Sequence, residues 1–112
     1  MAIQQTIRIQ VQANLPWACR RTENGNWIGA CDPLRLSVES ETWVELMEDI
    51  GLTLDAMLSD LLSTDELERF LRDHGWHAIT PIPASPQHVR FDVPFIPEIL
   101  ASHDGSQRSV YQ

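Results

Sequence analysis

Lysine is missing from this sequence altogether. Its 112 residues carry eight arginines against 16 carboxylates, a net charge of −8. A chain this acidic is repelled by phosphate backbones, which argues against direct DNA or RNA binding. Cysteine occurs twice, at Cys19 and Cys31, too few for a disulfide scaffold or a zinc site. No Gly-rich phosphate loop, nucleophile elbow or Cys–His signature is present. No apolar run approaches the length of a membrane span, and Met1 to Ala13 has no basic start followed by an apolar stretch. These absences point to a cytoplasmic protein with reduced thiols, no cofactor and no membrane partner.

What is there reads as one small α+β domain over residues 1–102, followed by a polar tail over 103–112. Residues 3–12 alternate, with Ile7, Ile9 and Val11 on one face, which is the period of a strand with one buried side. Pro16 interrupts, and residues 17–21 and 27–31 read as a hairpin around Asn24-Gly25. The hairpin loop length decides whether Cys31 faces Cys19 or Ala18, and the sequence leaves both open. Leu34, Leu36 and Val38 alternate again. Thr42 and Glu45 have the spacing of a capping box, and Trp43, Met47, Ile50, Leu54, Met57 and Leu61 then place an apolar face on a helix of about twenty residues. Gly51 within it suggests close packing on a sheet. Ser63 and Glu66 repeat the capping spacing before a shorter helix, Thr64 to His74. Gly75 is its left-handed stop, and Trp76 is placed to fold back on Phe70 or Leu71. After the proline-rich residues 80–87, Val89, Phe91, Val93 and Phe95 alternate as a last strand, and Pro97 starts a short helical turn. The expected architecture is an antiparallel sheet of three to four strands with the long helix across it and the short helix beside it. A small core and exposed hairpin edges favour a homo-oligomer.

Eleven carboxylates lie between Glu39 and Asp73, against Arg69 and Arg72 alone. Glu45, Glu48, Asp49, Asp55 and Asp60 fall mostly away from the apolar face of the long helix. Acids facing solvent cannot converge on a metal ion, but they can recruit a basic protein surface. His74 and His77 have metal-ligand spacing, yet Gly75 breaks the helix between them, and His74 suits the carbonyl end of its helix. His88 and His103 stand alone in sequence. No catalytic residue and no metal ligand is expected. A ligand pocket under the proline loop, lined by Trp76 and Phe91, would favour a small-molecule binder.

The run ENGNWIGACDPLRLSVESETWVELMEDIGLTLDAML, residues 23–58, resembles the HicB-like antitoxin family. The resemblance lies in the Asn24-Gly25 turn, the aromatic strand Trp27 to Cys31 ending near Pro33, the short strand Leu34 to Val38, and the Thr42-capped helix. It implies a trimmed ribonuclease-H-type sheet with one helix across it and no metal-binding acids. It also implies neutralisation of a small RNA-cleaving toxin by protein contact. The chain departs from that pattern by having Glu41 before the capping Thr, and no basic DNA-binding segment follows. ELERFLRDHGW, residues 66–76, is similar to the HicA-like toxin pattern, but Ala84 to His88 lacks the Gly-Ser-His triplet that carries the catalytic His there. The function expected is therefore a non-enzymatic interaction domain for a basic partner such as a small RNase-type toxin. The alternative is an RNA-cleaving or metal-dependent hydrolase using His88 or a carboxylate cluster.

Overall fold

A computed structural model describes residues 6–84 and 87–100. In chain order the elements are β1 (Ile7–Gln12), β2 (Pro16–Arg21), β3 (Trp27–Cys31), a 3-10 turn (Asp32–Leu34), β4 (Leu36–Ser40), α1 (Trp43–Ser63), α2 (Leu67–His74), β5 (His77–Ala78), β6 (Val89–Asp92) and β7 (Ile96–Ile99). The class is α+β, with one long and one short helix. The strands form two mixed sheets, ordered β5-β1-β6 and β4-β3-β2-β7. The chain divides into two compact units, Met1–Asn14 with Gly51–Pro94, and Leu15–Ile50 with Phe95–Gln112.

In the first unit, β1 runs antiparallel to β5 and parallel to β6, pairing Ile9 with Phe91 and Gln10 with Asp92. The alternation seen in sequence is real: Ile9, Val11, Phe91 and Val93 are buried, while Ile7 at the start of β1 stays exposed. Ile3 to Gln5 lie outside the described residues. The residues expected as the last strand of a single sheet thus end one sheet, as β6, and do not extend to Phe95.

The helix joints in this unit are closed by backbone bonds. α1 ends with Asp65 in the left-handed region (φ 63°). The Asp65 amide donates to Leu62 O at 3.1 Å and the Glu66 amide to Leu61 O at 2.8 Å. This is a Schellman closure. Ser63 Oγ meanwhile donates to Asp60 O, so the second capping box does not form, and α2 starts at Leu67 rather than Thr64. α2 closes the same way on Gly75 (φ 71°), with the Trp76 amide donating to Leu71 O. The Trp76 ring meets Phe70 edge-on, with centroids 5.4 Å apart.

In the second unit, β2, β3 and β4 form an antiparallel meander, and β7 returns parallel to β2, pairing Pro16 with Ile96 and Cys19 with Ile99. Residues 97–102, expected as a helical turn, therefore begin as strand. Proline is admitted because Ile96 and Leu100 donate their amides to Leu15 O and Cys19 O, which leaves position 97 on the side where β2 needs no donor. The hairpin loop is longer than the sequence suggested: Arg21 pairs with Trp27 and Cys19 with Gly29, so neither Cys19 nor Ala18 faces Cys31. Gly25 alone in that loop takes positive φ, at 88°.

Trp17, Cys19, Gly29 and Cys31 form the buried face of this sheet, and Leu46 and Ile50 of α1 are fully buried in the same unit. A side chain at Gly29 would sit 3.3 Å from Ile50 Cδ1 and 3.4 Å from Trp17 Cε3. Close helix-on-sheet packing therefore falls at Gly29, whereas nothing lies within 4 Å of a Cβ built on Gly51. Thr42 caps α1 as expected, accepting from the Glu45 amide at 3.1 Å. Along α1 as a whole the fully buried line is Leu46, Ile50, Leu54 and Leu58, worth roughly 1.5–3 kcal/mol each. Trp43, Met47, Met57 and Leu61 of the expected face are half-buried beside it.

Gly29→Val should lower unfolding free energy by about 1–3 kcal/mol through overpacking against Ile50 and Trp17. Urea denaturation of the variant beside the wild type measures this.

Candidate functional site

The five acids singled out on α1 separate into two groups. Glu45, Glu48 and Asp60 are exposed. Asp49 and Asp55 are half-buried and bonded inward. Ser40, itself buried, donates its hydroxyl to Asp49 Oδ2 at 2.6 Å, which ties the end of β4 to the start of the helix. Asp55 Oδ1 accepts the backbone amide of Phe91 at 2.7 Å, and its Oδ2 lies 3.6 Å from Arg90 Nε.

The Asp55 contact has a clear backbone origin. β6 is an edge strand, and the Ile7 amide donates to His88 O, so the residues of β6 that bond β1 are the even-numbered ones. The Phe91 amide then points away from β1, where an edge strand is normally left bare. The Asp55 carboxylate fills that position. Asp49 and Asp55 thus serve the fold, contrary to the expectation that they present themselves to a partner.

The histidines do not assemble. His74 Nδ1 bonds Phe70 O at 2.9 Å, and its ring lies 4.0 Å from the Phe70 ring. His77 lies exposed in β5, beyond the Gly75 stop. His88 is exposed at a turn with φ 60°, and its carbonyl starts the β1–β6 ladder. His103 lies outside the described residues. No group of three or more His, Cys, Asp or Glu with metal-binding proximity exists among the described residues.

Among the described residues the first unit carries at least two concavities. A cleft of about 540 Å³ lies at the C-terminal ends of β1 and β6, bordered by Gln10, Gln12, Gly51, Ile79, Arg90 and Val93 among others. A second, of about 350 Å³, lies beside α2 and includes Trp76 and Ile82. The shared pocket of Trp76 and Phe91 that would have favoured a small-molecule binder does not form among the described residues: the two line different concavities. The first cleft was invisible in sequence, because its walls are brought together by the long-range pairings of β1 with β5 and β6 and by α1.

Around the cleft the charges are mostly spent in pairs. Arg8 Nη1 donates to both oxygens of Asp92 at 3.1 Å. Arg90 Nε is buried and finds no hydrogen-bond partner among the described residues, since the Asp55 oxygen stands just beyond bonding reach.

Cys19 and Cys31 are free, with at most 1% of either exposed. Burial raises both thiol pKa values above the ordinary 9.0; a backbone hydrogen bond opposes the rise at each, and nearby Asp32 adds to it at Cys31. The neutral thiol is the form the folded state favours, and thiolate chemistry is correspondingly suppressed.

No protein-family model, curated protein or solved structure matches this chain. Among the described residues no helix is long and apolar enough to cross a membrane.

Replacing Asp55 with Ala should cost roughly 1.5–3 kcal/mol, the value of a charged acceptor on a sheltered amide, whereas Glu45→Ala should change stability by about 0.5 kcal/mol at most. Chemical denaturation of the two variants side by side distinguishes an acid that holds the fold from one that does not. For the thiols, a folded-state pKa above the unfolded value means a stabilising contribution that is complete below pH 9.0 and is lost as pH rises past it. Iodoacetamide should accordingly label neither Cys19 nor Cys31 in the native protein and both after unfolding, as read by mass spectrometry.

Proposed function

We propose that this chain is a non-enzymatic, HicB-like interaction domain that docks a basic partner protein, such as a small RNase-type toxin, on the outward face of α1. The observation that carries the reading is the pairing of displayed acids with displayed apolar surface. Glu45 and Glu48 are exposed beside Val44, which is 66% exposed, and Val44 and Glu48 are one helical turn apart. Three ion pairs occur among the described residues, Arg8–Asp92, Arg69–Glu66 and Arg90–Asp55, and none engages Glu45 or Glu48. An arginine- or lysine-rich surface with an apolar centre complements such a face. Charge steers the encounter, and burial of the Val44 side chain adds affinity.

Two further features support the reading. Residues 23–58 fold in the order that the resemblance implies: hairpin turn, strand, short turn at Pro33, strand, Thr-capped helix. The enzymatic alternative draws on His88 and the α1 acids. His88 is exposed with no second titratable group bonded to it in the described residues, while Asp49 and Asp55 are committed to Ser40 and Phe91.

The product of the adjacent reading frame, if small and basic, is the partner to test by co-purification and titration calorimetry. Binding should weaken with salt. Glu45→Lys with Glu48→Lys should reduce affinity at least roughly tenfold while the protein stays folded, its thermal transition lowered only by the effect of a cation in the first turn of α1. Salt-independent binding, or full affinity in the double variant, contradicts the reading. So does RNA cleavage, with or without Mg²⁺, that is lost on His88→Ala.

A further inference from the structure

A glycine in the middle of a helix costs about 1 kcal/mol relative to alanine, and a close neighbour usually explains it. Gly51 has no such neighbour. It lies inside α1, and a Cβ built there meets nothing within 4 Å. The space over it is the cleft of about 540 Å³ at the C-terminal ends of the parallel strands β1 and β6. What the glycine preserves is open volume, of a size common to small-molecule sites, roughly 300–1,000 Å³.

The chemistry of the walls narrows the occupant. Ile79, Phe91, Val93 and Pro94 give the cleft an apolar side, and Ile79 is 57% exposed although it is a large aliphatic residue. The polar side holds Gln10, Gln12, Arg90 and Asp92. Asp92 has both oxygens engaged by Arg8, which removes it as a receptor for a cation. Arg90 is the opposite case. It is ion-paired with Asp55, whose Oδ2 stands 3.6 Å from the buried Nε, but its side chain is 37% exposed, lines the cleft and closes no hydrogen bond among the described residues. A guanidinium with unspent donors selects a planar, singly charged acceptor that it can meet with two parallel bonds. A phosphate carries more charge than one arginine can balance, with Asp55 and Asp92 close by in a chain of net charge −8.

We propose that this cleft binds a small organic monocarboxylate with an apolar body, the carboxylate on Arg90 and the body against Ile79, Val93 and Pro94. The site is distinct from the acidic face of α1 around Glu45 and Glu48.

The test is a titration of the full chain by NMR with benzoate, hexanoate, benzamide and inorganic phosphate. At millimolar concentration at least one of the two carboxylates shifts the methyl signals of Ile79 and Val93 and the Nε–Hε signal of Arg90 saturably. Benzamide binds roughly tenfold more weakly than benzoate, and phosphate leaves the signals in place. Gly51→Leu fills the cleft from the helix side, so it abolishes the shifts while the protein melts no lower than wild type. Arg90→Gln brings benzoate down to the level of benzamide. The proposal is overturned if neither carboxylate gives saturable shifts, if benzoate and benzamide bind alike, or if Gly51→Leu binds as the wild type does.

Discussion

A single carboxylate, Asp55, reconciles an amphipathic helix with an unprotected strand edge. β6 joins its sheet through β1 alone, so half of its amides look outward. An unpaired edge amide sheltered from water is costly, and an edge left bare invites pairing with another chain. Asp55 answers both problems at the Phe91 amide, 2.7 Å away. With Phe91 placed, its ring joins Ile9 among the fully buried side chains, and Arg90 is left at the border of the cleft.

The same helix then divides its acids by what lies next to them. Asp49 and Asp55 have short side chains that reach donors close to the helix, Ser40 Oγ and the Phe91 amide. Glu45 and Glu48 are exposed. A carboxylate turned onto a hydroxyl or an amide shows less of itself to solvent: Asp49 and Asp55 are half-buried where Glu45 and Glu48 are exposed. The functional reading accordingly rests on the displayed glutamates and Val44, and the acidity of the segment overstates the surface it offers.

Much of the fold was legible wherever one face is buried and the other wet. Ile9 with Val11, Phe91 with Val93, and the apolar face around Ile50 and Leu54 all follow from periodicity, because burial on one side leaves that imprint. Thr42 and Gly75 were legible because capping is local. Ile96–Ile99 was not: every residue of β7 is exposed, so no alternation marks it, and Pro97 resembles a helix start. The division into two sheets depends on the parallel pairings β1–β6 and β2–β7, which join residues more than 75 positions apart and leave no local trace. The inward acids left none: on a helix of 3.6 residues per turn Asp49 and Asp55 sit about 120° from the centre of the apolar face, whereas Asp60, at about 100°, is exposed, so the donors beside each acid decide and not its angle. Gly51 carried a signal that was misread: a glycine facing a sheet and a glycine facing an open cleft look the same in sequence.

The most direct measurement of the central claim is amide hydrogen exchange at Phe91, with Ile99 as the internal reference. Both amides lie on edge strands and point away from their neighbours, but Phe91 alone has a carboxylate partner. The expected result is slow exchange at Phe91, comparable to amides inside the β1–β6 ladder, and fast exchange at Ile99. Equal and fast exchange at the two positions would mean that Asp55 does not hold the edge of β6, and the division of α1 into structural and displayed acids would fail with it.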